Sequence, residues 1–457
     1  MTNQPIVICG AGIAGVAAAY YLSCYHECSN VTLVESGNPL SLTSDKSTEA
    51  YRNWWPGPDG AMTAFMNRSI DLMQSLATQT NNRFNMSRHG YLFASADANK
   101  QQWLHDMASA AARYGAGSVR VHDTDSSTYS RSGEQQYDNP ALTGADLITD
   151  PATIQREFGY LHRDTVVLAH ARRAGWLSAQ QLGMTMLEAA RERGVQVVQG
   201  QLTDINTGSG QVQSVQVRQT DQTQTIATES LIICAGPMLA KIATSIGIEL
   251  PVVAERHLKI SFPDKHQVLP RNAPMSIWLD SQHLPWRDDE RGALAEDSQN
   301  QWLLDEFPAG VHCRPDGVGS SQTVLALFNY ENQSEPVVFP LRDEPHYPEI
   351  VLRGLSSMIP ALATYVDSGV RPYMDGGYYV RTRENRPLIG PTAVPGVYVS
   401  AAYSGFGIMG SCAGGDLVAR HVVHAELPEY EAAFRLTRYD DPDYCARIDA
   451  AGEDGQL

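Results

Sequence analysis

Continuous apolar runs that stop at glycine-rich turns recur along this chain, and each predicts a buried strand followed by a helix or loop. Ile6-Val7-Ile8-Cys9 is a run of the kind made by a strand covered on both faces. It enters Gly10-Ala11-Gly12-Ile13-Ala14-Gly15 and then helix formers as far as Leu22. A second apolar strand, Val31–Val34, ends at Glu35. The amphipathic stretch from Ala179 to Arg193 predicts a helix that exits through Gly194 into a strand ending near Gly200. Ser230–Cys234 is a further buried strand, closed by Ala235-Gly236-Pro237. Gly396 to Ala402 predicts a strand, then a glycine-rich turn through Gly410, then helix to about His424. His89–Ser95 and Thr323–Tyr330 also read as strands. Asp280–Gln301 is polar and charged, as suits a surface excursion or lid.

The first of these units carries chemistry. In a G-x-G-x-x-G between strand and helix, Gly10 permits the tight turn, Gly12 lets the backbone approach a pyrophosphate, and Gly15 lets the helix pack on the strand. The N–H groups and positive dipole end of the helix suit phosphate. Glu35, at the end of the next strand, accepts hydrogen bonds from a ribose diol and disfavours a 2′-phosphate, hence NADP. The polar run from Ser36 to Glu49 does not suit a plain NAD domain, which would proceed to another helix; it suits a loop lining a ring system.

Size and charge narrow the rest. At 457 residues the chain has room for two or three domains of roughly 150 residues. A net charge of −17 without basic clusters argues against a nucleic-acid partner. No apolar run approaches the roughly 20 residues of a membrane span. Seven cysteines without a framework predict reduced thiols; Cys24 and Cys28 read as helix-face residues, not a metal or redox pair. Pro5–Cys9 already reads as strand, so no signal peptide is expected and a cytoplasmic location is. His421 and His424 lack nearby carboxylates and are expected on a helix surface, with no metal site.

Together with the fingerprint, the motifs GWLSAQQL (175–182), GVQVVQG (194–200), LIICAGP (231–237), RPLIG (386–390) and GVYVSAAYSGFGIMGSCAGG (396–415) resemble the D-amino-acid-oxidase-like flavoprotein family, which includes sarcosine oxidase, glycine oxidase and dimethylglycine dehydrogenase. The resemblance implies an α/β fold with a discontinuous Rossmann-like FAD-binding domain and a mixed-sheet α+β substrate domain. It places the first at 1–85, 170–245 and 372–425, the second at 86–169 and 246–371, and leaves 426–457 as an acidic tail. Cofactor contacts are expected at Gly10, Gly12, Ile13, Ala14, Gly15, Glu35, Ser36, Thr43, Ser44, Lys46, Ser47, Thr48, Leu202, Ala235 and Gly236, and at Gly405, Phe406, Gly407, Ile408 and Met409. Some relatives bind flavin covalently through a His where Lys46 stands, or a Cys near Gly377. Neither nucleophile is present, so noncovalent FAD is expected.

The implied reaction is FAD-dependent oxidation of the C–N bond of an amino acid or secondary amine to an imine, which water hydrolyses. The same scaffold also serves 2-hydroxy acid dehydrogenases and flavin-carrying subunits of electron-transfer complexes. His257, Arg52 and Tyr379 are the expected catalytic residues: His257 to order the amine or take its proton, Arg52 to bind a carboxylate, Tyr379 to face the substrate with Arg381. Met409 stands where sarcosine oxidase carries a carboxylate-binding Lys. Trp54, Trp55, Tyr403 and Phe406 are candidates to line an apolar pocket. Lys259 and Lys265 are both candidates for a cation that assists reaction with oxygen. The expected partners are a small amine or amino acid and O2 or another electron acceptor.

Overall fold

The computed structural model describes residues 4–124, 127–132, 136–331 and 333–451. Residues 1–3 of the expected first segment and 452–457 of the expected acidic tail lie outside the described residues.

The apolar runs assemble into a six-stranded sheet ordered Leu388–Pro391, Val397–Ala401, Ser230–Ile233, Ile6–Cys9, Val31–Glu35, Gln196–Gln199. All its pairs are parallel except the first, which is antiparallel. The helices Ile13–Tyr20, Ala179–Glu192 and Gly407–Val422 cover one face of this sheet, and their small residues let them approach closely. Gly415 shows how closely: a Cβ there would lie 2.7 Å from the Ala17 carbonyl carbon. The chain runs outward in opposite directions from Ile6–Cys9, so the carboxyl ends of Ile6–Cys9 and Ser230–Ile233 flank the switch point where open α/β sheets bind ligands.

A second, mixed sheet has nine strands, ordered Tyr373–Arg381, Val253–Pro263, Thr323–Leu327, His312–Asp316, Met275–Trp278, Tyr91–Ser95, Val167–Ala171, Ala145–Ile148, Val119–His122. Alternation sorts the long strand Val253–Pro263: Leu258, Ile260 and Phe262 pack into the core beneath the helix Tyr347–Met358. Glu255, His257 and Lys259 fall on the opposite face. Tyr373–Arg381 pairs antiparallel along nearly the whole of this strand, with Glu255 opposite Tyr379 and His257 opposite Gly377. The segment that follows 372 thus pairs with a strand 120 residues earlier and not with the six-stranded sheet. Residues 280–301 form a surface excursion whose helix, Asp288–Glu296, is fastened by Arg353 to Glu290 and to the Pro285 carbonyl.

Candidate functional site

The fingerprint turn is built around steric necessity. Gly10 has φ +101°, and a Cβ there would meet the Cys234 carbonyl oxygen at 2.5 Å. A Cβ on Gly15 would lie 1.9 Å from the Gly10 oxygen, so this glycine serves packing and does not face the cleft. Glu35 closes the unit: one carboxylate oxygen accepts the Ala11 N–H at 2.8 Å, and the other accepts the Gly37 N–H at 2.8 Å and the Ser36 hydroxyl at 3.2 Å. Ser44, reaching back from the polar loop, accepts the Ile13 N–H at 2.9 Å. Glu35, Ser36, Gly10, Gly12, Thr43, Ser44, Leu202, Ala235 and Gly236 line one cleft at the switch point.

A second cleft continues from the first, sharing Gly12, Thr43, Ser44 and Gly236. Ile13, Ala14 and Ser47 belong to it, as do Gly405, Gly407 and Ile408. Its opposite wall is Tyr378–Val380 of the nine-stranded sheet. The two clefts run into each other through these shared residues, an elongated shape that suits an extended ligand. Two non-glycine residues at the late turn, Ala402 (φ +57°) and Ser404 (φ +50°), hold left-handed backbone. Such strain costs about 1–2 kcal/mol per residue and clusters at functional sites.

Tyr379 brings the second sheet's chemistry to this cleft. Its ring packs so near Gly405 that a Cβ there would sit 2.6 Å away, and burial pushes its phenol up to about 12. His257 stacks on it, with centroids 3.9 Å apart and planes 18° from parallel. The imidazole is buried, and neither ring nitrogen makes a hydrogen bond of good geometry within the protein. Its Nε2 lies 3.5 Å from a Glu255 carboxylate oxygen. Arg381 grips the other Glu255 oxygen through Nε at 2.8 Å and a terminal nitrogen at 2.6 Å. Burial pushes Glu255 up, but the nearby His257 and the hydrogen-bonded Arg381 outweigh it and hold the carboxyl down at about 2.

Arg52 comes from the short strand Ala50–Arg52. Its guanidinium lies 4.8 Å from the Trp55 ring and 5.5 Å from the Tyr91 ring, and burial lowers its pKa. His312 is lowered by burial and by the nearby charges of Arg52 and His257, so these three basic groups share one region. Lys46 bonds Asp45 at 2.5 Å and Asp375 at 3.3 Å, and Asp375 also meets Lys259 at 3.4 Å. The ion pairs thus bring Lys259 to the polar loop. Lys265 lies exposed beyond the end of its strand, which separates the two lysines.

Other expected residues lie elsewhere. Phe406 and Met409 turn into the helix-packed core, where Phe406 meets Trp55 at 5.1 Å. Trp54 packs on Phe93 at 4.5 Å. Thr48 contributes its carbonyl to the fully buried Arg314, which also pairs with Glu49 at 3.1 Å. His421 is buried, not on a helix surface, because the segment after the helix Gly407–Val422 brings Glu431 to 2.9 Å from it; His424 is exposed. None of the seven cysteines is in a disulfide, and among the described residues no group of His, Cys, Asp and Glu is arranged to hold a metal ion. Among them, too, no helix is long and apolar enough to cross a membrane. Sequence reasoning missed Glu255, Asp375 and Arg314. Period-two alternation in Glu255-x-His257-x-Lys259 was a readable signal for the first; the other two depend on distant partners.

An α/β sheet with a nucleotide cleft, facing a mixed sheet across it, defines a two-domain flavoprotein class. The chain belongs to the DAO family of FAD-dependent oxidoreductases, whose model matches residues 5–421. It is an FAD-dependent oxidoreductase. Similar solved structures include L-proline dehydrogenase from P. horikoshii, 18% identical with a TM-score of 0.71, covering 96% of this chain and 98% of that one. Glycine oxidase from Geobacillus kaustophilus is 16% identical with a TM-score of 0.70, covering 95% and 98%. Iminodiacetate oxidase from Chelativorans sp. BNC1 is 17% identical with a TM-score of 0.68, covering 94% and 98%. No curated protein matches by sequence.

Proposed function

We propose that this protein uses noncovalently held FAD to oxidise the C–N bond of an amino acid or secondary amine to an imine, which water then hydrolyses. The observation behind this reading is the continuity of one cleft from Glu35 to Tyr379, ending beside His257 with Arg52 in the same basic region. The clefts fit the cofactor on their own chemistry. They pair a carboxylate at a strand end with a glycine cradle closed by Ser44, and Gly236 has no atom within 4 Å of where a Cβ would stand. On this reading the six-stranded unit holds FAD and the nine-stranded sheet carries the substrate residues. Glu35 and Ser36 would hold the ribose, the Gly12–Ala14 turn the pyrophosphate, and Thr43, Ser44, Ser47 and Gly405–Ile408 the ring end.

Bound FAD supplies the two-electron acceptor. The protein's own residues bind and orient the amine. Arg52, fixed by two aromatic rings in a buried setting, matches a carboxylate in charge and fork geometry. His257 takes the proton of an incoming ammonium, so the nitrogen lone pair is free when the bond is oxidised. Tyr379 keeps the imidazole flat against the cleft and excludes water from that side. Lys259, linked to the polar loop through Asp375 and Lys46, is the cation offered for the reaction with oxygen, and O2 is a fitting final acceptor. The named neighbours act on glycine, L-proline and iminodiacetate, which agrees with an amino-acid or N-substituted substrate. Seven cysteines outside any disulfide fit a cytoplasmic setting.

Anaerobic titration of the FAD-loaded protein tests the reading. Bleaching of the flavin by amino acids or N-alkyl amino acids supports it. Bleaching only by 2-hydroxy acids, or by nothing offered, contradicts it. Release of all yellow colour on acid precipitation is the expected sign of noncovalent FAD, and colour in the pellet overturns that part.

A further inference from the structure

Glu255 is an ionised carboxylate buried to 4% exposure in a site whose expected substrate is itself a cation. We propose that Glu255, fixed by Arg381, is a positioning residue that keeps a proton on Nε2 of His257 and so makes Nδ1 the atom that accepts the substrate's ammonium proton. This rests on the amine-oxidation reading above. The geometry supplies the reason. Glu255 presents one oxygen to His257 at 3.5 Å while the other is held by two Arg381 nitrogens. A lone pair on Nε2 would face that oxygen and be repelled, so the neutral imidazole carries its hydrogen there. Only Nδ1 is then able to take a proton. It is buried and makes no hydrogen bond within the protein, a state that costs about 1–3 kcal/mol unless a ligand supplies the partner.

The proton balance is simple: R2NH2⁺ and neutral His257 give R2NH and an imidazolium, whose charge Glu255 offsets. Other groups near the ring shape this less. Tyr379 stacks on its face, and His312 is the basic group electrostatically coupled to it. A small cavity beside His257 is lined by Arg256, Tyr330, Glu331, Glu344 and Tyr347. Arg256 there is neutralised by Glu335 at 2.9 Å and Glu344 at 3.7 Å. Glu255 is the carboxylate that pairs with the His257 ring, at 3.5 Å from Nε2.

The test compares FAD-loaded wild type with Glu255→Gln, Glu255→Asp and the double variant Glu255→Gln/Arg381→Gln, which leaves no lone buried charge if the single variant does not fold. Nitrogen-15 NMR of histidine-labelled protein is expected to show the Nε2–H tautomer of His257 in wild type and Glu255→Asp, and a mixture in the glutamine variants. In anaerobic flavin reduction, the rising limb of the rate-against-pH profile should move at least one pH unit lower in the glutamine variants, with a plateau at least 10-fold slower, and return towards wild type with Asp. An Nδ1–H tautomer in wild type, or the same tautomer and the same limb in every variant, overturns the role of Glu255. Failure of any amine to reduce the wild-type flavin overturns the functional reading instead, and the tautomer result then decides Glu255 by itself.

Discussion

The imidazole of His257 lies flat on the phenol ring of Tyr379, 3.9 Å between centroids, although the two residues are 122 positions apart. Adjacent antiparallel strands create the pair: Tyr379 stands opposite Glu255, one step along the same sheet face from His257. A stacked aromatic pair is worth about 0.5–1.5 kcal/mol beyond its buried area, enough to fix a ring's orientation. Tyr379→Phe keeps the stack and is expected to retain most of the flavin-reduction rate. Tyr379→Ala releases the imidazole and is expected to slow reduction at least 10-fold, with FAD content unchanged. Anaerobic stopped-flow absorbance measures both.

Glu35→Ala removes the acceptor that two backbone N–H groups share with the expected ribose. Hydrogen bonds to a charged group contribute about 1.5–3 kcal/mol, so FAD affinity should fall on the order of 10- to 100-fold. Fluorescence titration of the apoprotein with FAD gives the number.

Arg52→Met preserves side-chain bulk beneath Trp55 and Tyr91 but deletes the fork. The expected outcome is a KM about 10- to 100-fold higher for carboxylate-bearing amines, with a much smaller change for amines that lack the group. Equal losses for both substrate types would make Arg52 a packing residue.

Much of the nucleotide unit was legible because its requirements are local. Gly10 needs positive φ, Gly15 needs a missing Cβ, and Glu35 stands at a strand end, all within 35 residues. The mixed sheet was less legible because its pairings are not local: the segment 373–381 joins a strand that begins at Val253, and nothing in its own pattern says so. The side chains of Phe406 and Met409 pack into the core because the tight helical turn Ser404–Phe406 runs straight into the helix Gly407–Val422, whose inner face is buried, and no local pattern shows which side faces the cleft. His421 was read as surface because Glu431, which meets it, belongs to a following segment expected to be a mere tail. Glu255 was within reach by alternation, but its ionised state depends on Arg381, 126 residues on.

Acid stability has its own buried centre. Asp146 binds Arg120, Arg172 and His122. Burial pushes its carboxyl up, but these partners outweigh it and hold it at about 2, below the ordinary aspartate value. Because the folded value is depressed, the stabilisation is fully present above the unfolded value and is lost as pH falls from about 4 through about 2. It amounts to roughly 2 kcal/mol at neutral pH. Asp146→Asn should lower the melting temperature at pH 7 and flatten the pH dependence of unfolding between pH 4 and pH 2, as followed by circular dichroism.

The most direct measurement is anaerobic reduction of the FAD-loaded wild type by matched substrate pairs: an amino acid, its N-methyl form, and the corresponding 2-hydroxy acid. The expected result is bleaching of the flavin by one or both amines, an imine-derived carbonyl product in equal amount, and no bleaching by the hydroxy acid. Bleaching by the hydroxy acid with both amines inert would contradict C–N oxidation at this site.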